Sequence, residues 1–119
     1  EIIDLILISG IDGIVATNTT RSREGLKTDK ERIDFIGEGG LSGAPLYKKS
    51  LEMVKYIHKK TEGNLPIIAV GGISTPEQAY EMLEAGASLI QIYTGFIYNG
   101  PATVKRMLKY IVKQSKSKC

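Results

Sequence analysis

The chain has 119 residues, 42% of them hydrophobic and 24% charged, which suits one globular domain with a core of its own. No apolar stretch approaches the ~20 residues that span a bilayer, and a lone cysteine, Cys119, excludes an internal disulfide and a cysteine metal site and fits a reducing compartment. The net charge of +3 owes much to Lys105, Arg106, Lys109, Lys113, Lys116 and Lys118. These read as a nucleic-acid footprint or as the solvated face of a last helix whose cations suit its C-terminal dipole end. No aromatics are interleaved for base stacking, so the solvated face is preferred and no nucleic acid is expected. His58 is the only histidine. Without a partner it gives neither a metal site nor a triad, and a surface helix position is expected for it.

The opening EIIDLILISG is too short and too acidic for a signal peptide. With no initiator Met, Glu1 reads as a cut inside a longer protein. Ile2 to Ser9 reads as the end of a helix stopped by Gly10, although a short strand also fits the apolar pattern. Ile11-Asp12-Gly13 is then a turn, and Ile14 to Thr17 a buried strand. Asn18-Thr19-Thr20 follows at the strand's C-terminal end, the edge on which barrel enzymes place their chemistry. An amide and hydroxyls there offer donors and acceptors to a ligand, or simply cap the strand and turn the chain.

Arg21 to Pro45 is long for a βα connection, where about 2–6 residues are usual. A helical piece is expected over Lys30 to Ile36, and glycines 37, 39, 40 and 43 bracket Leu41-Ser42. Arg21 and Arg23 either meet an anion or form a solvated loop face, the latter preferred. Ser50 to Thr61 is the next helix, with Leu51, Val54 and Ile57 buried and Lys55, Lys59 and Lys60 facing water.

The most legible stretch is LPIIAVGGISTPEQAYEMLEAGASLIQIYTG, from Leu65 to Gly95. Pro66 to Val70 is an apolar run of the kind found in a parallel sheet covered on both faces. Thr75 is an N-cap, Pro76 suits the first helical position, and Gln78 completes a capping box. Ala79, Met82 and Leu83 form the buried stripe, Gly86 the C-cap, and Ser88 to Tyr93 a second buried strand. The result is a βαβ unit with a right-handed crossover. Both strands end in glycine-containing turns, Gly71-Gly72 and Tyr93-Thr94-Gly95. Such turns let an anion approach the backbone at a helix N-terminus, or are ordinary βα turns. Phe96 to Gly100 is expected as a loop. Pro101 opens a last helix with Val104, Leu108, Ile111 and Val112 buried, and Ser115 to Cys119 is expected to fray.

The order α, β, α, β, α, β, α implies a parallel sheet with covering helices. Three strands cannot close a barrel, which takes eight, and they leave two strands of buried type as open edges. The expected fold class is therefore α/β: the C-terminal three βα units of a (β/α)8 TIM barrel, with residues 1–119 one part of a single domain.

Four blocks in order, ATNTT at 16–20, GGLSG at 39–43, VGG at 70–72 and QIYTG at 91–95, resemble dihydroorotate dehydrogenase. The resemblance covers essentially the whole chain, and TNTT with GGLSG and YTG points to the membrane-associated, quinone-using class 2 enzymes. It implies an FMN-binding barrel that oxidises (S)-dihydroorotate to orotate in de novo pyrimidine synthesis. It implies that Thr17 lies against the flavin and that Asn18 and Thr19 bind the orotate ring. The backbone around Ser42, Gly43, Gly71, Gly72, Tyr93 and Thr94 would grip the FMN phosphate. The family's catalytic serine base and flavin lysine match no position here, so no catalytic residue and no metal ligand are named. The resemblance further implies a quinone partner and peripheral membrane contact through an N-terminal segment outside these residues. That means the cytoplasmic side of the inner membrane in a bacterium or the mitochondrial inner membrane in a eukaryote. The alternatives are another FMN- or phosphate-binding barrel enzyme, or a non-catalytic half-barrel.

Overall fold

The computed structural model describes residues 1–118. Helix α1 (Ile2–Ser9) ends at Gly10, which takes the left-handed conformation that glycine adopts without steric cost. It is followed by β1 (Ile14–Ala16), α2 (Lys30–Ile36), a 3-10 turn (Ala44–Leu46), α3 (Tyr47–Lys60) and β2 (Ile67–Val70). The chain then forms α4 (Pro76–Glu84), β3 (Leu89–Gln91), α5 (Thr94–Asn99) and α6 (Ala102–Ser117).

The strands form one parallel sheet in the order β1-β2-β3. All three C-terminal ends therefore lie on one edge, and each crossover carries helix on the same side. The register aligns Ala16, Ala69 and Ile90 on one face and Val15, Ile68 and Leu89 on the other. The first face is dry: Ile67 and Ala69 are fully buried against Val54 and Ile57 of α3 and Met82 of α4, with Ile3 and Ile6 of α1 joining the cluster. The second face is open, with Val15 57% and Leu89 61% exposed. The expectation that the strands are covered on both faces is thus corrected, and so is the burial of β3, whose Leu89 and Gln91 are both exposed. The open face is apolar because the inner face of a barrel is filled by side chains of other strands.

The βαβ unit folds as its sequence dictates. Thr75 Oγ1 accepts from Gln78 N at 3.2 Å and Gln78 Oε1 accepts from Thr75 N at 3.2 Å, closing the capping box. At the far end Ala87 N reaches back to Met82 O at 3.0 Å across Gly86. Helix α3 starts three residues earlier than the sequence pattern suggests, because the Ala44–Leu46 turn feeds directly into it.

Three readings of the C-terminal region are corrected. Phe96 to Gly100 is not a loop: residues 94–99 form α5, with Ile97 N bonded to Tyr93 O at 3.1 Å. It is too short for an apolar period to show. Helix α6 buries Thr103 and Met107, with Ile111 half-buried, whereas Val104, Leu108 and Val112 are 45%, 57% and 52% exposed. The helix carries two apolar rows side by side, and periodicity cannot choose between them. Packing on α4 selects the Thr103–Met107 row, helped by an edge-to-face contact of Tyr80 with Tyr110 at 6.1 Å. Ser115 to Ser117 stays helical, and Lys118 pairs with Glu84 on α4; Cys119 lies outside the described residues. His58 is exposed on α3, as expected.

Candidate cofactor and substrate cleft

The cleft forms at the C-terminal edge of the sheet, where parallel strands all release their chains. Thr17, Asn18 and Thr19 leave β1, Gly71 and Gly72 leave β2, and Tyr93 and Thr94 leave β3, while Ser42 and Gly43 arrive from the long excursion after β1. All of these residues line one cavity of about 410 Å³, so the segments named from sequence converge.

The threonine at the end of β1 is held from below. Its N–H donates to Val70 O at 2.7 Å, and its Oγ1 lies 2.9 Å from Ser50 Oγ, which in turn donates to Leu46 O at 3.2 Å. Ser50 is fully buried and was not named from sequence. The signal for it was a hydroxyl on the buried stripe of α3, four residues before Val54, where a polar side chain needs a partner. The Asn18 carboxamide uses its oxygen locally, accepting from Thr19 N at 2.8 Å and Thr19 Oγ1 at 3.4 Å. Its Nδ2 donates to no acceptor among the described residues, so Asn18 presents donors. Both Asn18 and Thr19 are exposed at the rim.

On the other side of the cleft Thr94 Oγ1 donates to Ser42 Oγ at 3.1 Å, joining the β3 exit to the excursion. Tyr93 stands 75% exposed before α5. The N–H groups of Gly43, Gly72, Thr94 and Gly95 reach no backbone acceptor among the described residues. Those of Thr94 and Gly95 belong to the first turn of α5, which has no intrahelical acceptor to offer. No carboxylate among the described residues lines the cavity. Donors without competing negative charge are the set that holds a phosphate without arginine or lysine.

Gly72 is glycine for a reason independent of any ligand. Its φ is +73°, and a Cβ there would sit 2.5 Å from Tyr47 N and 2.7 Å from Gly43 O. The β2 exit is therefore packed directly on the start of α3. Tyr47 is pinned in turn by donating its hydroxyl to Glu81 on α4. Burial first, and then the Glu81 carboxylate, push its phenol pKa well above the usual value.

Arg21 is exposed, as a solvated loop residue should be, but Arg23 is not a free surface cation. It is half-buried and donates to Gly39 O at 2.6 Å and Thr20 O at 3.5 Å.

Parallel strands covered by helices on one face, with a donor-lined cleft at their C-terminal ends, are what a segment of an α/β barrel presents. The sequence profile described as Dihydroorotate dehydrogenase matches residues 1–114. A relative named dihydroorotate dehydrogenase (quinone) from Nocardia farcinica is 52% identical over 104 residues, covering 87% of this chain and 28% of the relative. One of the same name from Corynebacterium striatum is 49% identical over 114 residues, covering 96% and 32%. The crystal structure of DHODH in complex with ferulenol from Eimeria tenella superposes with a TM-score of 0.86 at 38% identity, over 98% of this chain and 30% of that one. The chain belongs to the dihydroorotate dehydrogenase family. It spans about 30% of the length of the relatives it matches.

Proposed function

We propose that residues 1–119 are part of a single FMN-binding barrel domain, its C-terminal part, in an enzyme that oxidises (S)-dihydroorotate to orotate with a quinone as electron acceptor, a step of pyrimidine synthesis. The observation that carries this is the convergence of Thr17 to Thr19, Ser42-Gly43, Gly71-Gly72 and Tyr93-Thr94 on one cleft from distant parts of the chain. The names of the relatives support the quinone. As a quinone-reducing enzyme it works in peripheral contact with a membrane through a segment outside these residues. That membrane is the inner membrane, approached from the cytoplasm in a bacterium or within the mitochondrion in a eukaryote.

The residues fit FMN. Its phosphate would be held by the N–H groups of Gly72 and Thr94, the backbone around Gly43 and Gly71, and the Ser42 and Thr94 hydroxyls, with Tyr93 at the mouth. When bound, the flavin supplies a hydride acceptor. Thr17 is locked through Ser50, so it presents a fixed surface to the ring. Asn18 donates from Nδ2 to a carbonyl or carboxylate of the substrate, while Thr19 fixes the amide by occupying its oxygen. Oxidation of dihydroorotate removes a proton from C5 and a hydride from C6. No residue of this chain is proposed as the base.

The test is the full-length protein, purified and assayed. The expected result is a flavin absorbance spectrum near one FMN per chain and dihydroorotate-dependent reduction of a quinone. A colourless protein that takes up no FMN overturns the assignment. A flavoprotein inert toward dihydroorotate keeps the cofactor and rejects the substrate.

A further inference from the structure

The excursion between β1 and the Gly39–Gly43 run has a neck, and the neck is where the two halves of the cleft meet. Thr20 and Leu41 face each other in an antiparallel bridge, with Thr20 N donating to Leu41 O at 3.1 Å and Leu41 N to Thr20 O at 2.7 Å. Just before Thr20 stand Asn18 and Thr19. Just after Leu41 stand Ser42 and Gly43. The approach is close enough to demand glycine: a Cβ on Gly40 would overlap the Thr19 side chain. The neck therefore sets the distance between the residues proposed for substrate and those proposed for phosphate.

The Arg23 guanidinium straddles this neck. One terminal nitrogen donates to Gly39 O at 2.6 Å and the other reaches Thr20 O at 3.5 Å. Its hydrogen bonds go to these carbonyls and not to Asp34 or Glu38, although both acids line the same hollow. Arg23 does not line the 410 Å³ cleft. We infer that Arg23 is a positioning residue whose planar fork clamps Thr20 to Gly39 and so holds Asn18-Thr19 in register with Ser42-Gly43. This rests on the reading of the cleft given above. Two donors at a fixed angle on one rigid plane suit the task, and a lysine ammonium is a point charge on a flexible stem that does not reproduce it. The preference for a solvated loop face is corrected for Arg23, which is half-buried and donates to two backbone carbonyls.

The test compares Arg23→Lys and Arg23→Ala with wild type in the full-length protein, reading amide hydrogen exchange. Both variants should speed exchange at Thr20 and Leu41 by about tenfold or more, the scale of losing a charge-assisted hydrogen bond, and leave the β2 amides unchanged. Both should also raise KM for dihydroorotate and loosen FMN together, since the clamp serves both halves. Guanidinium ion added to Arg23→Ala should restore part of the protection, and methylammonium should not. Unchanged exchange at the neck overturns the inference. Full protection in Arg23→Lys overturns it too, because charge alone would then suffice. A rise that spreads to β2 contradicts it by assigning Arg23 to the global fold. Exchange needs neither flavin nor turnover, so it decides the clamp even in a protein inert to dihydroorotate, an outcome that would defeat the functional reading alone.

Discussion

The β2–α4–β3 unit and the excursion between Thr20 and Leu41 flank the same cleft and are held by different physics. The unit is dry on its helix-covered face: Ile67, Ala69, Ala79 and Met82 are fully buried, and Thr75 and Gln78 seal the helix start. The excursion buries no residue of α2, and its Phe35 and Ile36 are 90% and 71% exposed. Among the described residues its ties are polar: a two-residue bridge, a glycine contact, the Arg23 fork and the hydroxyls of Thr20 and Ser22. Apolar burial fixes one wall of the cleft in place, and polar ties set the other. The first should respond to changes of volume and the second to loss of particular hydrogen bonds.

The largest effect that separates the walls is expected at Gly72. Valine there meets both the positive φ and the backbone of Tyr47 and Gly43, so the β2 exit and the start of α3 must part. Flavin binding and folding should be lost together, whereas Lys59→Val on the exposed face of α3 should change stability by less than about 0.5 kcal/mol. Flavin titration alongside urea unfolding reads both. Gly72→Val thus reports on the packed wall and does not isolate the phosphate grip.

Next in size is a matched pair. Met82→Ala removes a fully buried side chain from the unit and should cost about 2–5 kcal/mol in urea unfolding. Phe35→Ala removes a larger side chain from the excursion and should stay within about 0.5 kcal/mol. Equal costs would show that the excursion is packed in the full-length protein, and the contrast between the two walls would fall.

The smallest effect lies away from both walls, where Asp4 of α1 pairs with Lys60 at the end of α3 at 2.8 Å. The hydrogen bond from Lys60 lowers the Asp4 pKa below its ordinary value. A folded value below the unfolded one contributes stability that is fully present above about pH 4 and is lost as pH falls through the lowered folded value. Asp4→Asn should remove this part of the acid sensitivity between those limits and change nothing at pH 7 beyond the loss of an exposed pair. Acid titrations of stability for the two proteins would show it.

The sequence carried most of the cleft because its turns are written in residue types that have few other uses. Glycine pairs after apolar runs, and Asn-Thr after a β-branched strand, mark the strand exits, and parallel pairing then brings those exits to one edge whatever the details. The capping box of α4 was equally legible, since Thr75, Pro76 and Gln78 specify it locally. What was not legible depends on neighbours distant in sequence. The rotation of α6 is set by α4, and two apolar rows on one helix leave that choice open. The open inner face of the sheet reads as buried in sequence because its residues are apolar, and only the exposure of Val15 and Leu89 shows that no helix among the described residues covers it. Ser50 and Arg23 act through contacts 33 and 16 residues away, which no local pattern announces.

The most direct test of the division between the two halves of the cleft is Asn18→Ala in the full-length enzyme, with flavin content and dihydroorotate turnover measured on the same sample. Losing the free Nδ2 donors should cost about 1–3 kcal/mol of substrate interaction, or roughly a five- to hundredfold fall in kcat/KM. Flavin content should stay near wild type, because the donors at Gly72 and Thr94 are untouched. Normal turnover would make Asn18 a strand cap and nothing more, and loss of flavin with turnover would place it in the cofactor half, contradicting the division.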